Sequence, residues 1–588
     1  MGQLTFGPKH PKRFRREPSS LNNGQRKEGG IRLLHYDPRD YGARCGDCPL
    51  NNKQPVPPTF NKHATLAIVC EHPGLDEEIH GRPLVGQTGQ LFDSVLDRLD
   101  IPRAKLHLSN AILCRPSYGT DDKTIKEAIT CCRPRLAQEL LSIQPTPLVV
   151  AGGKRALIAL TGRAKIFDWI GAPLKGERFN KAGRKVTIKS AEVDFSAVDI
   201  LPVLHPAFCL RSPAYTPVFA IHMQRAWAMA TKKLPTWEWP ETITTDGALL
   251  RQALRHIRDK NEPIGNDIET KMSDHSHILN VGVANRDVAV SVTWQEAETM
   301  TKVAMLELIC SDIPQTGQNL QFDYCSYRKN GIIVPNFDFD TMFAHVVLAP
   351  SLKHSLGFQC AVEFPAPRWK DVFRASGDDA SRRFEAADPV ERAIYNARDS
   401  WMTLLLRYRY LERFKNEPHL KKYFDEYMRL LKIAIKMRLR GVGIASENFA
   451  RHEKNLTEKF NTASTNIKNI ATSVGMPDYN PNSHQQVGRF FIEALGVKPV
   501  AWSKKTHKPS FDKNALLKIT AHPNRAAANA AKAMLDMRRW QKLLKTYIRG
   551  MPIVNGLTHP TWNPTGAKTG RWSSKDPNAM NIPKPKWG

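Results

Sequence analysis

PIGNDIET (residues 263–270) sets two carboxylates, Asp267 and Glu269, two positions apart in a run that reads as a β-strand. Alternate strand side chains share a face, so both acids point the same way with their Cα atoms about 7 Å apart. Two acids on one face of an otherwise apolar strand are costly unless something neutralises them. Working outward, HILNVGVAN (277–285) and DVAVSV (287–292) read as an antiparallel meander. GQNLQFDYCSY (317–327) brings Asn319 and Asp323, and DFDTMFAHVVLAPSLKHSL (338–356) follows. AIYNARDSWMTLLLRY (393–408) then places Tyr395 and Asp399 one helical turn apart, about 5–6 Å from each other on one face.

The rest of the chain sets the context. Its 588 residues exceed what one core supports and imply several domains. With 86 Lys+Arg against 57 Asp+Glu, the net charge of +29 favours a polyanionic partner, with nucleic acid foremost. No apolar run approaches the roughly 18 residues of a membrane span. The N-terminus is basic and polar, unlike a signal peptide, so a cytoplasmic protein with no membrane partner is expected. The ten cysteines include a Cys45-x2-Cys48 pair and the group Cys114, Cys131, Cys132. In a reducing compartment that pattern points to metal ligation before disulfides.

The expected architecture is multidomain α/β. Residues 1–40 read as a basic flexible tail. Over 41–230, apolar runs such as LAIVC (66–70), LHLSNAILC (106–114), PLVVAGG (147–153) and ILPVLHP (200–206) alternate with helical stretches, as in an α/β/α sandwich. A Pro/Trp-rich linker (231–247) precedes the block containing PIGNDIET (248–412). Residues 413–560 are nearly all helical in pattern and rich in Lys and Arg.

The carboxylates and tyrosine of the 248–412 block, in this order, resemble the DEDD 3′→5′ exonucleases of the tyrosine subgroup, the proofreading domain of family A DNA polymerases. The resemblance implies an RNase H-like domain with a mixed sheet. It also implies that Asp267, Glu269, Asp323 and Asp399 hold two Mg2+ (or Mn2+) ions about 3.5–4 Å apart, with Tyr395 orienting the attacking water. The substrate would be a single-stranded 3′ end.

CEHPGLDEEIHGRPLVGQTGQLFD (70–93), NAILCRP (110–116), CRPRLAQELLSIQP (132–145) and LHPAFCLR (204–211) resemble the family 4 uracil-DNA glycosylases. That resemblance implies a [4Fe–4S] cluster on Cys45, Cys48, Cys114 and Cys132, with Cys131 a neighbour. Spacing alone leaves zinc open, although the wide Cys114–Cys132 separation departs from the paired ribbon of structural zinc. It further assigns His205 to the departing uracil anion, Asn110 to the uracil edge, and Glu71 or Glu77 to the water side. The chain departs from the family at Cys70 and His72, and at Leu84, where the family has a phenylalanine that stacks on uracil. An active glycosylase and a DNA-reading module without cleavage both remain open; His72 reads as a pocket wall.

KMRLRGVGIASENF (436–449), DYNPNSHQQVGRFFIEALGVKP (478–499) and MRRWQKLLKTYIRGM (537–551) resemble the thumb of family A DNA polymerases, which implies phosphate contacts with primer-template DNA. TGRWSSKDPNAMNIP (569–583) is similar to the start of the family's palm, and it implies DNA contacts for Arg571, Asn578 and Asn581, with Arg571 in the minor groove. The palm is expected to be truncated at 561–588, and a second chain is expected to supply the catalytic palm and fingers. The implied function is the N-terminal part of a split or truncated replicative polymerase that proofreads. The fusion resembles an architecture of some large bacterial viruses, which would put it in a host cytoplasm. The alternatives are a stand-alone DNA repair exonuclease or glycosylase, and a non-enzymatic DNA-holding subunit.

Overall fold

The computed structural model describes residues 36–187, 190–271, 274–370, 386–503, 508–566 and 569–582. The basic tail read over 1–40 lies outside the described residues as far as residue 35.

The apolar runs of the first block become adjacent strands. Leu106–Asn110, Leu66–Cys70, Leu148–Gly152 and Asp199–Val203 lie parallel in that spatial order, and Leu174–Lys175 adds antiparallel at the far edge. The first three strands are buried at every residue, as a parallel sheet covered on both faces requires. The pleat divides Leu66–Cys70 between two cores. Ala67 and Val69 pack with Ile125, Ile129 and Leu136 of the helix Asp122–Leu141. Leu66 and Ile68 pack with Phe92 of Gly86–Arg98 and with Phe219 of Thr216–Ala230.

The second sheet has the order Phe337–Asp340, Gln315–Gly317, Ile264–Lys271, Asp274–Ala284, Val288–Thr293, Glu241–Ile243. Its three central-to-edge members from Ile264 to Thr293 form the antiparallel meander, and the other strands join in parallel. Glu241–Ile243 comes from the stretch read as a linker. Trp237 and Trp239 from the same stretch pack on Trp401, with ring centroids 5.7 and 6.0 Å away. Aromatic rings of this size are better buried than left spanning water, which draws this bridge into the domain.

The helix Pro389–Asn416 crosses the second sheet. A Cβ on Gly265 would fall 1.9 Å from the Ser400 carbonyl oxygen. Glycine there lets the helix approach closely enough to bring its acid beside the strand. This helix runs through the boundary read at 412, and the next one, Pro418–Arg440, adds Phe424, Met428 and Leu431 to the same core.

Phe358 and Val362 of the helix Leu356–Glu363 bury in the core of the first sheet rather than the second. Arg225 ties the same joint, donating to the carbonyls of Gly171 (2.7 Å), Ala361 (2.6 Å) and Val362 (2.8 Å). Farther on, Ser446–Ser473 and Arg525–Lys542 pack around Ile467, Phe490 and Met534, and Thr561–Asn563 pairs antiparallel with Ser573–Lys575. No described helix is long and apolar enough to cross a membrane.

Candidate functional site

Three acids read from the sequence meet at one point. The carboxylates of Asp267 and Glu269, on Ile264–Lys271, and of Asp399, on Pro389–Asn416, offer oxygens all within 4.8 Å of one another. Asp323 lies on the helix Leu320–Lys329 and stands outside that group, with its Oδ1 accepting from the Ile268 amide at 3.4 Å. It therefore faces the backbone between the two strand acids. Tyr395 lies one turn before Asp399, and its hydroxyl accepts from Lys370 Nζ at 3.1 Å.

Sequence reading missed three partners. Asn396 Nδ2 donates to Asp267 Oδ2 at 2.8 Å. Trp369 Nε1 donates to Asp399 Oδ1 at 2.5 Å, and Lys370 Nζ donates to Asp399 Oδ2. Asn396 lies three residues before Asp399, so the helical period that picked out Tyr395 and Asp399 also carries it to the same neighbourhood. Lys370 and Trp369 belong to no periodic element, and no spacing points to them.

The electrostatics match a site that takes up cations. Burial, then Glu269, Asp399 and Asp323, pushes Asp267 well above the usual carboxylate range. Burial and then Asp399 push Glu269 up to about 8, while Lys370 pulls the other way. Burial pushes Asp323 up to about 8 against the hydrogen bonds its carboxylate accepts. Burial works against the charge on Lys370, yet Asp399 and Tyr395 more than offset it and raise this ammonium above an ordinary lysine. Buried all-oxygen donors of this kind suit a hard divalent cation such as Mg2+ or Mn2+.

A second site lies at the carboxyl ends of the first sheet, where parallel α/β folds present ligands. Asn110 ends its strand opposite Cys70. Its side chain is 2 % exposed, and its Nδ2 has no hydrogen-bond partner among the described residues. His205 caps the helix Pro206–Arg211 and accepts from the Ala207 amide at Nδ1, 3.1 Å. Burial pulls this imidazole down to about 4, so at neutral pH its proton sits on Nε2 and is available to an acceptor. Glu71 Oε1 accepts from the Arg155 amide at 3.2 Å. A Cβ on Gly153, whose φ is +103°, would come within 2.4 Å of that oxygen, so the carboxylate lies flat against the glycine. Glu77 is differently engaged: its oxygens accept from the amides of Gly74 and Leu84. It thereby braces the turn that holds Leu84 at φ 53°. His72 Nδ1 donates to the Pro73 carbonyl at 3.0 Å.

The four predicted cysteine ligands form a neighbourhood of thiols. Burial, then Cys132, Cys48 and Cys45, pushes Cys114 up to about 12, and burial pushes Cys48 up to about 12. Cys131 borders the same group and raises Cys48 further. Among the described residues no three cysteine sulfurs lie within 4.8 Å of one another. Behind the thiols, Arg135 is fully buried between Glu139 and the carbonyl of Asn110, 2.7 Å away, and Glu139 also accepts from His107 Nε2 at 2.7 Å.

At the C-terminal end, a cleft is lined by Lys545, Arg549, Lys575 and Asn578. Arg571, Asn578 and Asn581 are exposed, and Asn578 Oδ1 accepts from Ser574 Oγ at 3.3 Å.

A doubly covered parallel sheet with polar side chains at its strand ends defines the first class. Residues 57–229 match the uracil DNA glycosylase superfamily, and through this domain the chain belongs to that superfamily. Residues 446–587 match DNA polymerase family A, so glycosylase-like and polymerase domains are fused in one chain. The chain is 31% identical to the type-4 uracil-DNA glycosylase of Pyrobaculum aerophilum over 176 residues, 29% of this chain and 81% of that protein. It is 28% identical to DNA polymerase I of Synechocystis sp. over 380 residues, 60% of this chain and 37% of that protein. The chain thus spans about a third of the length of the DNA polymerase I relatives it matches. A solved structure, the POL domain of Pol1 from M. smegmatis in complex with DNA primer-template and dNTP, is 15% identical at TM-score 0.44, over 59% of this chain and 56% of that chain.

Proposed function

We propose that this chain works at DNA ends during replication in the cytoplasm, as a 3′→5′ proofreading exonuclease joined to a DNA-gripping polymerase thumb. The observation that carries the reading is the meeting of Asp267, Glu269 and Asp399 within 4.8 Å in a buried setting. Asp267, Glu269, Asp323 and Asp399 would hold two Mg2+ or Mn2+ ions, which supply charge neutralisation and an activated water at a phosphodiester. The protein's own part is positional. Asn396 fixes Asp267, Trp369 fixes one oxygen of Asp399, and Gly265 admits the helix that carries Tyr395, whose hydroxyl would orient the water. The exposed bases Lys545, Arg549 and Arg571 supply phosphate contacts without sequence preference. Nucleotide addition needs palm carboxylates beyond the segment at 569–583, on whichever polypeptide carries them.

The test is shortening of a 5′-labelled single strand by the purified chain with Mg2+ or Mn2+ and its absence in chelator. Asp399→Ala is expected to abolish shortening while the chain remains folded, and full activity in that variant would sink the assignment.

The unpartnered Asn110 amide and the Nε2 proton of His205 favour a second activity, recognition of a flipped base by two donors, with Glu71 on the opposite wall. Cys45, Cys48, Cys114 and Cys132 would hold a [4Fe–4S] cluster whose role is to anchor the segment around them. Release of free uracil from uracil-containing DNA, lost in His205→Ala, supports cleavage. Uracil-dependent binding without release supports a reading module.

A further inference from the structure

Residues 364–370 run from the glycosylase-superfamily domain to the carboxylate site. At their root, the Ala361 carbonyl accepts from Arg225 and from His222 Nε2 at 3.0 Å, and the Val362 carbonyl accepts from Arg225. Midway, the Arg368 guanidinium lies over Trp169, 5.1 Å from the ring centroid. At the tip, Trp369 and Lys370 occupy both oxygens of Asp399, and Lys370 also holds the Tyr395 hydroxyl. The Lys370 side chain is only 20% exposed. A buried ammonium on a buried carboxylate is a cation in a place where three carboxylates call for one. A divalent ion on Asp399 would meet that ammonium at close range, and the two positive charges repel strongly out of water.

We infer that Lys370 is a built-in counter-cation of the carboxylate site, held there by the glycosylase-superfamily domain, and that a metal ion loading on Asp399 must displace it. This inference rests on the metal-site reading above. Lys370 is a positioning residue. It keeps Asp399 and Tyr395 aimed while no metal is bound and gives up Asp399 Oδ2 as the ion arrives. Because the root of the segment is clamped by Arg225, a change in the glycosylase-like domain reaches the exonuclease-like site through seven residues of chain.

The experiment is Mn2+ titration of the full chain, read by the electron paramagnetic resonance of free Mn2+ at pH 8.5. Removing the competitor in Lys370→Met should tighten Mn2+ binding by about tenfold, the scale of one charge-assisted hydrogen bond. Lys370→Gln should move the same way, and Lys370→Arg should stay near wild type. Arg225→Ala, remote from the carboxylates, should tighten binding by a smaller factor, with circular dichroism confirming a folded chain. Equal or weaker Mn2+ binding in both neutral Lys370 variants overturns the counter-cation. If wild type and Asp267→Asn also bind Mn2+ alike, the metal-site reading itself has failed and takes this inference with it.

Discussion

Asp267→Asn should make the metal-free protein more stable while ending 3′-end cleavage. The substitution keeps shape, and the asparagine oxygen still accepts from Asn396 Nδ2, now 2.8 Å from Asp267 Oδ2. It removes one of three carboxylates gathered within 4.8 Å. Two full charges at that distance repel by roughly 3 kcal/mol at an effective dielectric of 20. Protons and Lys370 already relieve part of this, so a gain of about 1–2 kcal/mol is expected, or about 2–8 °C in Tm for a domain of this size. The assay is thermal unfolding in chelator at pH 8.5. Glu269 and Asp323 are raised in the folded state, to about 8, so these two carboxylates hold more protons in the folded chain than in the unfolded one between about pH 4.5 and 8. Wild-type stability in chelator should therefore fall as pH rises towards 8, and the variant's lead should widen. In saturating Mn2+ the order should reverse, since an ion at about 100 times its Kd adds roughly 2.7 kcal/mol to wild type alone. A variant less stable than wild type in chelator would refute the crowded-carboxylate argument.

Three other outcomes follow from features elsewhere. Glu139→Ala should destabilise by about 3–5 kcal/mol in urea unfolding, because it leaves the buried Arg135 charge without its carboxylate; a loss under about 1 kcal/mol would show that the network relaxes. His205, His222 and His345 are held down by burial to about 4, about 3 and about 3, so the share of stability these neutral imidazoles supply above about pH 6.5 should drain away between pH 6.5 and 4, read as the difference between wild type and His222→Gln. A difference that stays constant across that window would contradict it. Anaerobically prepared protein should be brown with about four irons per chain, Cys48→Ala should bleach it, and stoichiometric zinc in place of iron would overturn the cluster.

How much of this was legible follows from what each residue needs. Asp267, Glu269, Tyr395 and Asp399 obey strand and helix periods, so spacing alone places each pair on one face. The parallel sheet showed itself because strands buried on both faces are mostly apolar, as LAIVC is. Lys370 was invisible because its meaning depends on where residues 364–370 are carried, and that is decided by Arg225 and Trp169 in another domain. Glu77 looked like a candidate acid because a sequence shows charge but not the amides of Gly74 and Leu84 that occupy it. The stretch at 231–247 has linker-like prolines, yet its tryptophans had somewhere to bury.

Phe358 and Val362 sit in the heart of a domain to which they do not belong by chain order. The joint between the two α/β bodies is therefore wider than its covalent link. Cutting the backbone within 232–247 would sever a peptide bond and leave the seam closed, so the halves should copurify. Either half made alone would present a raw apolar face to its neighbours. Heredity meets the same constraint: a lineage with no use for the chemistry of the glycosylase-like body would still need its bulk, as scaffolding for the carboxylate site next door.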